Sequence, residues 1–163
     1  MSACAIARKL ATGGTDILDA NLLARLKGLC RESPSAVPAV YSAIFSQLRK
    51  PQAQIRFSCV QLINVLFCRS LEFRKNLLLN GHEYLQLVGC LEQFELWPQE
   101  WADRTRSLAI SVFSEWFAKF NSAHPQLISF QAIINSRTEE QLGQQVNVEP
   151  SDISRNAHKV FYC

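Results

Sequence analysis

The segment Ile55–Leu79, IRFSCVQLINVLFCRSLEFRKNLLL, decides the fold. Ile55, Cys59, Leu62, Ile63, Leu66 and Phe67 recur at i, i+4, i+7, i+8, i+11 and i+12, the spacing of one buried face of an α-helix. A strand would need a period of two, which this segment lacks. Arg56, Arg69, Arg74 and Lys75 fall between or after the apolar positions, with Glu72 as the nearby acid. A core-forming stripe and a row of cations thus share one stretch, which predicts a binding surface on a helical scaffold and no catalytic constellation.

On the N-terminal side, Asp16 or Asp19 can cap a helix carrying Leu22, Leu23, Leu26 and Leu29, which stops before Ser33 and Pro34. Ser33 as N-cap and Pro34 at the first helical position open a helix with Val37, Val40, Tyr41, Ile44, Phe45 and Leu48, and Pro38 allows a later start. Lys50 and Pro51 separate it from the stripe. On the C-terminal side the pattern resets near Ser70, giving a short helix with Phe73, Leu77 and Leu78 that ends in a left-handed turn at Asn80 and Gly81.

A further helix carries Tyr84, Leu85, Leu87, Val88 and Leu91 toward Phe94. Residues 92–101, EQFELWPQEW, read as an irregular loop, because Pro98 drives Trp97 out of helical geometry. Trp97 and Trp101 are candidate partner anchors there, weighed against a loop folded back onto the core. Leu108, Val112, Phe113, Trp116, Phe117 and Phe120 stripe the longest helix, and Pro125 starts the last one, with Leu127, Ile128, Phe130 and Ile134. The expectation is an all-α domain over residues 1–135. Residues 136–163, rich in Ser, Gln, Asn and acids, are expected to be a frayed helix and a disordered or truncated tail.

At 163 residues and 48% hydrophobic, the chain has material for one core. No run approaches the roughly 18 apolar residues of a spanning helix, and MSACAIARKLATGG is not a secretory signal, so a soluble cytosolic or nuclear protein is expected. That N-terminus also offers no evident basic amphipathic helix for a lipid surface.

Six cysteines without a C-x-x-C pair, and three scattered histidines, predict reduced core thiols, no metal and no cofactor. Cys90 with His82 is the nearest approach to a nucleophile and base, but the pair spans a helix start and Cys90 sits in an apolar pattern. Gly13 and Gly14 make a turn, not a phosphate loop.

Charge is unevenly distributed. Residues 1–80 hold eleven Lys and Arg against four acids, a net +7, while residues 81–163 hold six against ten, a net −4. A basic first half suits an acidic partner or a phosphate-bearing polymer. Phe57 and Phe73 beside arginines serve equally as packing residues, so direct sequence-specific nucleic-acid binding is not expected.

The run LLARLKGLCRESPSAVPAVYSAIFSQLRKPQAQIRFSCVQLINVLFCRSLEFRKNLLLN resembles the N-terminal domain of the UV-stimulated scaffold protein A family of transcription-coupled DNA repair factors. The residues that carry the resemblance are Leu26, Lys27 and Cys30; Ile55, Arg56 and Ser58; and Phe67, Arg69, Ser70, Phe73 and Arg74. Trp116 with Phe120, then Pro125, Leu127 and Phe130, extend it, so that it covers roughly residues 6–134.

The resemblance implies a VHS/ENTH-like right-handed superhelix of seven or eight helices. It also implies a non-enzymatic scaffold on nuclear chromatin that joins stalled RNA polymerase II and binds the Cockayne syndrome A WD-repeat protein. The Cockayne syndrome B remodeller, transcription factor IIH and a ubiquitin-specific protease are further family partners. Contacts to transcription factor IIH and the polymerase belong to acidic middle and C-terminal regions outside these 163 residues. Arg56, Arg69, Arg74 and Lys75 are proposed contacts from the surface reading alone, and Arg69 and Arg74 have an alternative as internal braces. Related superhelices bind ubiquitin, sorting signals or phosphoinositides, which keeps a trafficking adaptor as a second reading and a reader of phosphorylated polymerase tails as a third.

Overall fold

A computed structural model describes residues 1–80, 87, 98–129, 131, 132, 134–136 and 139. Within them lie six α-helices: α1 (Ala3–Ala11), α2 (Ala20–Glu32), α3 (Val37–Leu48), α4 (Ala53–Arg69), α5 (Leu71–Leu79) and α6 (Gln99–Phe120). A 3-10 turn, Pro34–Ala36, joins α2 to α3, and residues 126–129 and 134–136 are also helical. No described residue lies in a β-strand, and the fold is all-α.

Local chemistry accounts for most helix starts. Asp19 is the cap of α2, its carboxylate accepting from the Leu22 N–H at 2.9 Å. Ser70 caps α5 by accepting from the Phe73 N–H at 3.2 Å. Ser33, expected to cap, does not: Pro34–Ala36 wind as a 3-10 turn, Pro38 falls in the first turn of α3, and the Ser33 hydroxyl lies 3.0 Å from that of Ser35. Asn80, expected with Gly81 in a left-handed turn, has φ −104° and donates from its amide to the Asn76 carbonyl at 3.0 Å, while Gly81 lies outside the described residues. Gly14 does take the left-handed region, with φ +62°, in the joint between α1 and α2.

The first helix is a correction to the sequence reading. Ser2 caps α1, and its Ile6, Ala7, Leu10 and Ala11 are buried while Arg8 and Lys9 face solvent. That amphipathic helix packs on α2, α3 and α4, so its apolar face belongs to the core.

α4 lies at the centre, against α1, α3, α5 and α6. Cys59, Leu62, Ile63, Leu66 and Phe67 of the expected stripe are buried, but so are Ala53, Phe57, Ser58 and Val60, so the buried face is broader than one stripe. Ile55 is half-buried. Part of the extra burial comes from α6, whose Trp101 meets Phe57 and whose Ala102 packs with Ala53.

Two hydrogen bonds set the register of that pair. The Thr105 hydroxyl reaches the Ala53 carbonyl at 3.2 Å and the Trp101 carbonyl at 2.7 Å, and the Trp116 Nε1–H donates to Asn64 Oδ1 at 2.8 Å. Both links to α4 join residues 52 apart, so α4 and α6 run parallel and stay in step from Ala53 to Asn64. Phe67 stacks on Trp116 with ring centroids 3.8 Å apart and planes 13° from parallel.

The expected loop at residues 92–101 is only partly described. Its last residues, Gln99, Glu100 and Trp101, are helical, because Pro98, whose missing N–H costs nothing ahead of the first turn, stands as the cap of α6. Trp97, Cys90, His82, most of the helix expected near Tyr84, Phe130 and the tail from 140 lie outside the described residues. Leu87 is helical and buried, as are Leu127 and Ile134 of the closing segment.

Candidate partner-binding surface

The four cations singled out in the sequence occupy different surroundings. Arg56 is half-buried at the start of α4 and donates from Nε to the Lys50 carbonyl at 2.7 Å, bracing the α3–α4 joint. Arg74 folds back over the end of α4: Nε donates to the Phe67 carbonyl at 2.9 Å and a terminal nitrogen to the Cys68 carbonyl at 3.3 Å. Its guanidinium carbon is 3.9 Å from the Phe120 ring centroid and 5.5 Å from that of Phe67. Burial lowers the Arg74 pKa, with Cys68 acting in the opposite direction, yet a guanidinium remains charged at neutral pH. For Arg74 the structure matches the internal-brace alternative.

Arg69 and Lys75 are exposed, and neither makes a side-chain hydrogen bond or ion pair among the described residues. Trp101 sits in the first turn of α6 and meets Phe57 edge-on at 5.4 Å. The Arg104 guanidinium lies 4.3 Å from the Trp101 ring and 5.1 Å from Phe57, and it pairs with Asp16 at 2.7 Å. This cluster fastens the α1–α2 joint to α6, with Trp101 half-buried.

Arg69 opens into a feature the sequence reading did not single out. A groove of about 550 Å³ runs between α2 and the end of α4, lined by Ala24, Lys27, Gly28, Cys30, Arg31, Leu66, Arg69 and Ser70. Ala24, Lys27, Gly28 and Arg31 follow i, i+3, i+4, i+7, one face of α2. That spacing was available in the sequence, but the leucines on the other face dominate the pattern. Lys27 and Arg31, like Arg69, are exposed and have no ionic or hydrogen-bonding partner among the described residues.

Burial raises the Cys30 thiol pKa, and burial followed by the Glu115 charge raises that of Cys68, so neither is a ready nucleophile at neutral pH. Among the described residues no group of three or more His, Cys, Asp or Glu side chains converges as metal ligands, and no helix is long and apolar enough to cross a membrane.

Comparison with known proteins places this geometry. Residues 4–136 match the family model described as the UVSSA N-terminal domain. The chain is 34% identical over 124 residues to UV-stimulated scaffold protein A of Danio rerio, covering 75% of this chain and 17% of that protein. It is 35% identical over 120 residues to the protein of the same name from Xenopus tropicalis, covering 72% and 16%. With the Rattus norvegicus protein it shares 33% over 121 residues, covering 73% and 17%. The matched region is about a sixth of the length of these relatives.

Proposed function

We propose a function from one premise: the chain belongs to the UV-stimulated scaffold protein A family, whose N-terminal domain it carries. It acts as a non-enzymatic interaction module of the UV response, in transcription-coupled nucleotide excision repair on nuclear chromatin. Its partner is the Cockayne syndrome A WD-repeat protein at stalled RNA polymerase II. Transcription factor IIH and a ubiquitin-specific protease join where the family's further regions are present. The helical domain spans residues 1–135 and has the VHS/ENTH-like right-handed superhelical form.

The observation that carries this reading is the match over residues 4–136 to proteins named scaffolds. The architecture supports it: α4 is enclosed by helices, which makes a rigid support, while Lys27, Arg31, Arg69 and Lys75 hold charges toward solvent without internal partners among the described residues. Charge presented this way speeds encounter with a complementary surface and orients it. A trafficking adaptor acting on lipid headgroups is less well supported, because the apolar face of α1 is buried in the core.

The test is capture of purified Cockayne syndrome A protein and of RNA polymerase II by the immobilised chain, with and without Arg69→Glu and Lys75→Glu. The expected result is retention of the WD-repeat protein, reduced in the double variant. No retention by a wild-type chain whose helicity is confirmed by circular dichroism overturns the reading.

A further inference from the structure

We infer that the groove between α2 and the end of α4 is a docking site for an acidic peptide segment of a partner protein. Lys27, Arg31 and Arg69 hold its carboxylates while an apolar side chain sits over Gly28 and Leu66. The inference deepens the reading of the domain as a docking module and rests on it.

Shape is the first argument. Among the described residues nothing lies within 4 Å of where a Gly28 Cβ would stand, so the glycine leaves free space beside the lining and serves no helix packing there. Glycine inside a helix is unfavourable by about 1 kcal/mol relative to alanine, a cost no internal contact here offsets. Ala24 one turn earlier is also small, which leaves the strip of α2 beside Lys27 and Arg31 open. Leu66 and Cys30 add apolar lining, and Leu71, next in the chain to the lining residue Ser70, is 53% exposed at its edge.

Charge is the second. Cations near helix C-termini often serve only to complement the helix dipole, and Arg31 and Arg69 stand in the last turns of α2 and α4. At α4 that task is already done by Arg74, which donates to the carbonyls of Phe67 and Cys68. Arg69 is therefore surplus to the helix end and adds its charge to those of Lys27 and Arg31 around the groove. Three cations with no carboxylate in the lining among the described residues are complementary to an anionic ligand.

The lining selects which anion. A single nucleic-acid strand is held by aromatic side chains on which bases stack, and none lines the groove among the described residues. Small and aliphatic residues between separate cations fit a peptide that carries its charges on side chains and places an aliphatic group between them.

The test is fluorescence anisotropy of the whole chain with a fluorescein-labelled peptide of Asp and Glu around a central Leu, and with a single-stranded DNA of equal charge. Saturable peptide binding is expected, weakened at least about tenfold by Arg69→Glu and also by Gly28→Leu, while Lys9→Glu on α1 leaves it unchanged. Gly28→Leu fills the groove without altering charge and improves helix propensity, so it remains informative if the charge reversal impairs folding. Wild-type affinity in Gly28→Leu would reduce the effect to diffuse attraction by a basic surface and overturn the inference. So would tighter binding of the DNA, or no saturable binding of the peptide. Because the probe is a peptide and not the WD-repeat protein, this assay and the capture assay fail independently.

Discussion

The Arg74 guanidinium carbon stands 3.9 Å from the centre of the Phe120 ring, joining the start of α5 to the end of α6 across the last turn of α4. The same group satisfies two carbonyls that α4 leaves without helical partners. Arg74→Leu is expected to lower stability by about 1–3 kcal/mol in urea denaturation, because it strands both acceptors and removes the ring contact. Arg74→Lys should recover only part of this, since an ammonium cannot present the planar fork. Arg69→Leu and Lys75→Leu should each change stability by less than about 0.5 kcal/mol.

Trp116 is fully buried and combines a stacked contact to Phe67 with a hydrogen bond to Asn64. Trp116→Phe should cost about 1–3 kcal/mol, largely because it leaves Asn64 Oδ1 with only the weak Cys68 thiol donor at 3.5 Å, and Trp116→Ala about 3–5 kcal/mol through the added cavity. An Asn64→Leu, Trp116→Phe double variant less damaged than the sum of the single ones would identify the hydrogen bond as the shared term. Strict additivity in chemical denaturation would count against that bond.

How legible was this in the sequence? The stripe on α4 predicts the right face, since Cys59, Leu62, Ile63, Leu66 and Phe67 are core, but periodicity cannot show that a second helix packs against Ala53 and Phe57. α1 escapes a pattern search because two of its four buried residues are alanines, whose weak apolar signal becomes core only when α3 and α4 close around it. Trp101 reads as loop because Pro98 breaks whatever precedes it, whereas the same proline starts α6. Arg69 and Arg74 look alike in sequence; their separation into a free cation and a brace depends on where α6 places Phe120, which no local signal encodes.

The Gly14 backbone has φ +62°, and the nearest side-chain atom to an added Cβ would be Gln54 Cβ at 3.7 Å, an ordinary contact. The cost of Gly14→Ala is therefore conformational, about 1–2 kcal/mol, with no steric component. Gly13→Ala, where no left-handed geometry is imposed, should be near neutral. Equal thermal midpoints for the two variants would contradict this assignment.

His124 sits just beyond α6, and burial, then the charges of Arg74 and Lys75, hold its pKa below the ordinary value of 6.5. The folded chain thus binds this proton less readily than the unfolded one. The associated stability is fully present above about pH 6.5 and is lost as pH falls through the lower folded value. His124→Gln should reduce the loss of stability seen between about pH 7.5 and about pH 5.5 by urea titration. An unchanged pH slope would assign that loss to other groups.

The parallel register of α4 and α6 also bears on how the molecule assembles and opens. Two helices that point the same way cannot be joined by a tight turn, so the chain between Arg69 and Gln99 has to cover in reverse the roughly 25 Å length of α4 before the second helix begins. Pairs such as Ala53 with Thr105 and Asn64 with Trp116 each close a span of 52 residues, comparable to the span that separates α1 from α4, whereas α3 meets α4 and α4 meets α5 across short joints. Loop-closure entropy therefore favours the α3–α4 and α4–α5 pairs ahead of the docking of either α1 or α6 on α4. Phe67 and Trp116 lie in the seam between α4 and α6, so opening of that seam is what brings this stacked pair to solvent.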